Sequence, residues 1–329
     1  MPLSLYVDGQ KWRSHLSAMV SAKPGLVPVI KGNGYGFGLA FLGAESSRLG
    51  VSAVAVGLAS EVAPVRSAFS GEIIVLSPDN ASYDFSDSKV IWTISSLENL
   101  EAIGSQSKII IEILTPLNRH GISISDLDSA LAIIKNRGLA VQGFTLHLPI
   151  VKIDANWIRK TLQKLPTAST VWISHLHDLE KIQKEFPQLI FRERIGTSLW
   201  LGNQSALAAK ATVLENREVK GAAGYRQTRA NGYVVVASGG TAHGIGLAAP
   251  QGDKSLLGRL KIVARAIESA LGKDKSPYSW NGKALNFLEP AQMQCSLLKI
   301  EGQNQPKIGD ELNLRVRYTT TTFDQIVVR

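Results

Sequence analysis

The chain has 329 residues, 44% apolar and 19% charged, with 36 Lys and Arg against 27 Asp and Glu. This composition supplies a large core and excludes disordered, collagen-like and low-complexity classes, while the length predicts two domains, or one large barrel with an addition. A single cysteine, Cys295, excludes a disulfide scaffold and a cysteine-rich zinc module. No run approaches the ~20 apolar residues of a membrane helix. Asp8 and Lys11 fall where a signal peptide needs its apolar segment, so a cytoplasmic protein without a membrane partner is expected. The net charge of +9 invites a nucleic-acid reading. Lysines and arginines are scattered rather than massed in one run, however, and aromatic residues do not interleave with them, so no nucleic-acid partner is expected.

Through the first two thirds, short β-branched runs alternate with longer segments of helical period. The runs are VPVI (27–30), AVAVG (53–57), EIIVLS (72–77), VIWTIS (90–95), KIIIEIL (108–114), VQGFTLHL (141–148), TVWISH (170–175) and LIFRERIG (189–196). Helices are predicted over 39–49, 59–68, 96–104, 124–137, 155–164 and 177–186, with a serine cap three residues before Glu98. Eight β-α units in about 210 residues fit an α/β fold of the (β/α)8 barrel type, spanning 1–212. An open Rossmann-like sheet is the runner-up, but no G-x-G-x-x-G opens a helix after the first strand.

After about Val213 the texture changes to strands separated by turns: GYVVVASGG (232–240), ALNFLE (284–289), QMQCSLLKI (292–300) and ELNLRVRY (311–318), with IGDE (308–311) as a hairpin-type connection. SLLGRLKIVARAIESAL (255–271) interrupts them with an apolar stripe of helical period and Gly272 as its C-cap. Residues 213–329 are therefore expected to form a mainly β domain with one inserted helix.

In a barrel the chemistry sits at the C-terminal strand ends. Lys31 follows three apolar residues in PVIKGNGYGFG (28–38), so its amine emerges from an apolar wall, where lost hydration lowers its pKa and suits Schiff-base chemistry. The alternative is a lysine that ends an ordinary strand with its head in water. His175 and His177 form a period-2 pair that suits a metal, yet no third ligand is evident and no metal is expected.

VIKGNGYGFG closely resembles the cofactor-lysine motif of the fold-type III pyridoxal-phosphate (PLP) enzymes, specifically the alanine racemase family. Further segments resemble the family in its order: SLYVDGQKWRSHL, AVAVGLASEV with its glutamate-bearing helix, TPLNRHGIS (115–123), GFTLHL (143–148) and RERIGTSLWLG (192–202). The resemblance implies a PLP cofactor held covalently by Lys31, which then serves as a base on one face of the substrate Cα. It implies that Tyr35 packs near the cofactor, that His147 packs against its ring, and that Arg194 faces the pyridine nitrogen. Gly196 and Thr197 would bind the phosphate, and Arg119 would orient the cofactor's phenolic oxygen or the substrate carboxylate. Many family members hold that arginine with a carbamylated lysine; Glu112 stands there and reads either as a built-in replacement or as a partner of Lys108. Two registrations are open for the next loop: His175 takes the family's histidine position and Leu179 replaces the phosphate serine, or Ser174 is that serine and an insertion follows.

The second domain departs from the family pattern. Aligned on Gly240 and Gly244, GGTAHGIG (239–246) carries Thr241 where the family has its second base, a tyrosine delivered from the partner subunit, and His243 where it has an aspartate. A threonine hydroxyl is a poor proton shuttle near neutral pH, whereas histidine titrates there. His243 is thus either a displaced second base or a loop histidine without a role. The resemblance implies an amino-acid racemase, alanine by default, working as a homodimer with shared sites. The alternatives are another reaction on the same barrel (aldolase, dehydratase or decarboxylase) or a non-catalytic PLP-binding protein.

Overall fold

The computed structural model describes residues 2–78, 86–104, 106–247, 275–300 and 304–329. Two compact units divide the chain, one of Arg13–Gly34 and Gly38–Gly202, the other of Met1–Trp12, Tyr35–Phe37 and Asn203–Arg329. The opening strand β1 (Leu3–Val7) belongs to the second unit. The first unit carries β2 (Val27–Pro28), β3 (Ala53–Val56), β4 (Glu72–Val75), β5 (Val90–Ile94), β6 (Lys108–Glu112), β7 (Ala140–His147), β8 (Thr170–Ser174) and β9 (Ile190–Ile195). Consecutive strands from β3 to β9 pair in parallel, and β2 pairs with β9. A bridge from Val29 to Ala55 joins β2 to β3 as well, with the Ile30 N–H donating to the Ala55 carbonyl at 2.7 Å, so the sheet closes into a (β/α)8-type barrel. Every one of the eight expected runs is a strand here.

Helices over 39–48, 62–66, 97–102, 127–137, 155–163 and 179–185 lie between these strands, within the expected segments. The cap before Glu98 is Ser96 rather than the expected Ser95: its hydroxyl accepts the Asn99 N–H at 3.2 Å, the reach of an N-cap side chain to N3. Residues alternate along each strand, and Val27, Val29, Ala55, Ile74, Ile91, Ile110 and Trp172 form one cluster inside the barrel. That alternation has a direct consequence at the strand ends. Two residues beyond Val29, Ala55, Ile110 and Trp172 stand Lys31, Gly57, Glu112 and Ser174.

The second unit is antiparallel except for one parallel pair, β1 with β16. β10 (Leu207–Ala223) and β11 (Thr228–Ser238) form a long hairpin, followed by β12 (Lys275–Trp280), β13 (Lys283–Phe287), β14 (Cys295–Ile300), β15 (Glu311–Leu314) and β16 (Gln325–Val328). β10, β11, β14, β13, β12 and β15 pair in a closed ring, to which β1 and β16 add through β10. β10 serves both β1 and β11 by a register shift between Val213 and Glu215. Asn281 and Gly282, both at positive φ, make the two-residue turn between β12 and β13. The 308–311 segment is a turn but not a hairpin: β15 pairs with β10 and β12, and the turn binds back to Val213. The helix expected over 255–271 lies outside the described residues. Among the described residues, no helix is long and apolar enough to cross a membrane.

This unit packs Leu3, Val213, Val235, Tyr278, Leu298 and Leu312 in one core. The fully buried Tyr278 hydroxyl donates to the Gly239 carbonyl at 2.7 Å, and Ser296 Oγ donates to the same oxygen at 2.8 Å. Burial also raises the Tyr278 pKa, so the phenol stays a neutral donor. Tyr278→Phe should lower the unfolding free energy by about 1–2 kcal/mol, read from urea titration, because a buried hydrogen bond is lost with almost no change in packing.

Candidate active site

The mouth of the barrel collects Lys31 after β2, Glu112 at the end of β6, His147 at the end of β7, Ser174 at the end of β8, and Arg194 in β9. His147 and Ser174 are registered partners across β7 and β8, and Glu112 is registered with Thr145. One inward face of the sheet therefore carries both the apolar barrel filling and the chemistry above it.

Backbone contacts hold the surrounding loops. The Glu61 carboxylate, in the turn after β3, accepts the Gly32 N–H (2.6 Å), the Gly57 N–H (2.6 Å) and the Leu58 N–H (3.1 Å), tying the segment after Lys31 to the end of β3. Gly57 leaves a close approach here, since a Cβ would stand 3.2 Å from Lys31 Cβ and 3.0 Å from Glu61 Oε2 and one of them would have to give. Beyond β6 the chain runs out through Thr115 and Arg119 and returns, the Ile122 N–H donating to the Glu112 carbonyl at 2.7 Å. Gly121, at φ +129, makes this return possible: a Cβ would lie 2.3 Å from the Leu114 nitrogen. Thr115 Oγ1 donates to the His147 carbonyl at 2.6 Å, fastening that loop to β7.

Charge is concentrated here, and part of it is buried. Arg194 is buried; its Nη2 donates to the Leu146 carbonyl at 3.4 Å. Burial lowers its pKa to about 10, with Glu112 opposing and Arg119 adding to the fall, so it remains a cation near neutral pH. Glu112 is buried too, with Oε1 3.9 Å from Arg119 Nη2. Desolvation raises its pKa, while Arg194 and Arg119 pull it down. Lys108 pairs instead with Glu72, at 3.0 Å, so the alternative partner for Glu112 is occupied elsewhere. Lys31 opens to solvent at the mouth, yet lost hydration and then the charges of Arg119 and Arg194 lower its pKa, against the pull of Glu61. Desolvation and the same two arginines drive His147 down to about 3, so its imidazole is neutral over the physiological range.

His175 is exposed, at φ 62, with its ring edge-on to His147 at 5.5 Å; desolvation and Arg194 lower its pKa. Ser174 is buried beside His147 on the inward face. The second histidine of the period-2 pair, His177, places Nε2 3.0 Å from the Ile150 carbonyl. Gly196 precedes the short helix Thr197–Trp200, whose first N–H groups have no acceptor within the helix. Trp200 Nε1 donates to the Val29 carbonyl at 2.8 Å and locks this turn to the lysine-bearing strand.

Tyr35, Thr241 and His243 belong to the second unit. Tyr35 is buried at φ 55. Thr241 Oγ1 lies 3.4 Å from the Gln292 carbonyl. His243 Nδ1 accepts the Gly240 N–H at 3.2 Å and Nε2 lies 3.1 Å from Asp324 Oδ1, so both ring nitrogens are used within that unit. Nδ1 as acceptor fixes the proton on Nε2. Glu61 is the residue for which sequence reading found no task. Its signal was the glycine at 57 followed four residues later by a carboxylate on the turn after a strand.

Residues 7–177 match the family described as alanine racemase, N-terminal domain. Among curated proteins, the chain is similar to the alanine racemase of Campylobacter curvus (30% identity over 132 residues, 40% of this chain and 38% of that protein). It is also similar to that of Campylobacter jejuni subsp. doylei (27% over 191 residues, 57% of this chain and 53% of that protein). The matched stretches thus span about two fifths to one half of those relatives. Among solved structures, the fold resembles the alanine racemase from E. faecalis (TM-score 0.68, 16% identity, 100% of this chain and 98% of that one). It resembles equally the Bartonella henselae alanine racemase with covalently bound pyridoxal phosphate (TM-score 0.68, 15% identity, 100% of both chains).

The charge cluster has a consequence for acid stability. The unfolded chain takes up a proton at His147 near its ordinary value of 6.5, the folded chain only near 3. The unfolded state therefore binds more protons in between, and stability falls as pH drops through that window, by at most ~1.4 kcal/mol per pH unit for one group. His147→Gln should remove this contribution, seen as a shallower loss of unfolding free energy in urea titrations run from about pH 6 to about pH 4.

Proposed function

The chain belongs to the alanine racemase family, and from that premise we propose that it is a PLP-dependent isomerase that interconverts the mirror forms of an amino acid, alanine by default. The observation that carries this reading is the barrel-mouth set: a lysine whose pKa is lowered, a histidine kept neutral, and two arginines facing one buried carboxylate. These residues fit the cofactor. Its aldehyde needs an amine with a lowered pKa, its ring a flat uncharged neighbour, and its phosphate N–H and hydroxyl donors, which Lys31, His147, and Gly196, Thr197 and Ser174 would supply. Arg194 keeps a buried Nε without a partner among the described residues, a donor suited to the pyridine nitrogen. Tyr35 and His175 complete the proposed binding set. When bound, PLP withdraws electrons from an attached amino acid and makes its Cα proton acidic.

Lys31 is then the base that takes and returns that proton on one face, as its lowered pKa favours. Arg194 stays cationic and would disfavour protonation of the pyridine nitrogen of a bound cofactor, which would weaken electron withdrawal and favour proton return over side reactions. Arg119 would orient the cofactor's phenolic oxygen or the substrate carboxylate, and Glu112 would hold Arg119 by charge, with no lysine modification needed. His243 is the proposed second base; to act, its Nδ1 must release the Gly240 N–H. Two copies of the 35.5 kDa chain would share sites. A second reading, a lyase-type reaction on the same barrel, is favoured by one observation: Thr241 stands where the family has its tyrosine, and its hydroxyl faces the Gln292 carbonyl.

The purified protein loaded with PLP should show an absorbance band that borohydride reduces and that Lys31→Ala abolishes. In deuterium oxide, it should exchange the Cα proton of both D- and L-alanine and form the mirror isomer. Consumption of one isomer without its mirror form would support the lyase instead. His243→Ala should slow exchange on one face only, and an equal loss in both directions would remove it as second base.

A further inference from the structure

At the charged mouth and just inside it, four buried side-chain atoms have no hydrogen-bond partner among the described residues: Glu112 Oε2, Thr145 Oγ1, Trp172 Nε1 and Arg194 Nε. They come from four consecutive strands, β6, β7, β8 and β9. Glu112 is registered with Thr145, and Thr145 with Trp172, so these three lie side by side on the sheet; Trp172 belongs to the cluster that fills the barrel, which fixes their face as the inner one. Arg194 reaches over β8 to the carbonyl of Leu146, the neighbour of Thr145 in β7, which brings its guanidinium over the same row.

The chemistry of the set is selective. Trp172 Nε1 and Arg194 Nε only donate, the Glu112 carboxylate only accepts, and the Thr145 hydroxyl does both. A bound anion would be repelled by Glu112, and a cation by Arg194 and by the two N–H dipoles. The occupant has to accept two hydrogen bonds and donate two at once. Leaving buried polar atoms unmatched costs about 1–3 kcal/mol each, so four in one place need an occupant. We propose that this row is a built internal water site, where water accepts from Trp172 and Arg194 and donates to Glu112 and Thr145. Such a water hydrates the Glu112 carboxylate from inside the barrel, keeping it charged opposite the two arginines. The proposal concerns the barrel before any cofactor binds, because the same Arg194 Nε is the donor proposed above for the pyridine nitrogen.

A high-resolution crystal structure of the protein with its natural sequence and freed of cofactor tests it. The expected result is ordered water within hydrogen-bond distance of at least three of the four atoms. A direct Glu112–Arg194 Nε bond with no water in the row, or an ion there, would overturn it. Thr145→Val gives an independent thermal reading, since the substitution keeps the shape and removes the hydroxyl. With water present, the melting temperature should fall by roughly 2–4 °C, because the water loses a partner. In a dry row it should stay the same or rise, which would also overturn the proposal. Should Thr145→Val not fold, the crystal structure of the unmodified chain decides.

Discussion

Arg194 is a buried cation, and the arrangement at the barrel mouth answers to that fact. Burying a guanidinium costs several kcal/mol unless neighbours replace its hydration. Here the replacement is a carbonyl at the end of β7 and the buried carboxylate of Glu112. The balance is deliberately incomplete: two arginines face one buried acid, and the surplus positive potential acts on every nearby base. It lowers the pKa of Lys31, His147 and His175, each already disfavoured as a cation by lost hydration. One electrostatic condition thus leaves a lysine closer to its nucleophilic form, the His147 imidazole neutral, and a field that attracts anionic ligands.

A field of this kind is useful only if the groups inside it hold still. The barrel achieves this with backbone ties rather than with side-chain packing alone. Glu61 joins the lysine segment to the end of β3, Thr115 joins the arginine loop to β7, and Trp200 joins the turn after β9 to β2. Each tie runs between loops that follow different strands, so each strand end is located by its neighbours, the condition for a preorganised site. Two glycines with close neighbours, Gly57 and Gly121, sit in the loops these ties hold.

The second unit uses the same economy around a different loop. Tyr278 and Ser296 converge on the Gly239 carbonyl, and His243 bridges the Gly240 N–H and Asp324, whose other oxygen accepts the Leu3 N–H at 2.7 Å. The loop that carries Thr241 is therefore held by one hydroxyl cluster from the core and by one histidine from within. A histidine that spans two partners fixes its own tautomer, and any proton it exchanges must come at the expense of one of those contacts.

Much of the barrel was legible in the chain itself. Alternating β-branched runs mark all eight strands, because a strand buried on both faces has to be apolar along its length. The same alternation places Lys31, Glu112 and Ser174 on the inner face, two residues beyond the apolar filling. Resemblance to family motifs pointed to His147 and Arg194 before any geometry was known. Tertiary structure decided what depends on long-range partners. It brought β1 into the antiparallel sheet more than 200 residues later in the chain, closed six strands into a ring, and chose Glu72 over Glu112 as the partner of Lys108. It gave Glu61 its three N–H donors and gave His243 its two partners. Local sequence carries periodicity and turn chemistry, which fix elements and faces. Which charge meets which, and how much water is left between them, is set only when distant strands close around the same space.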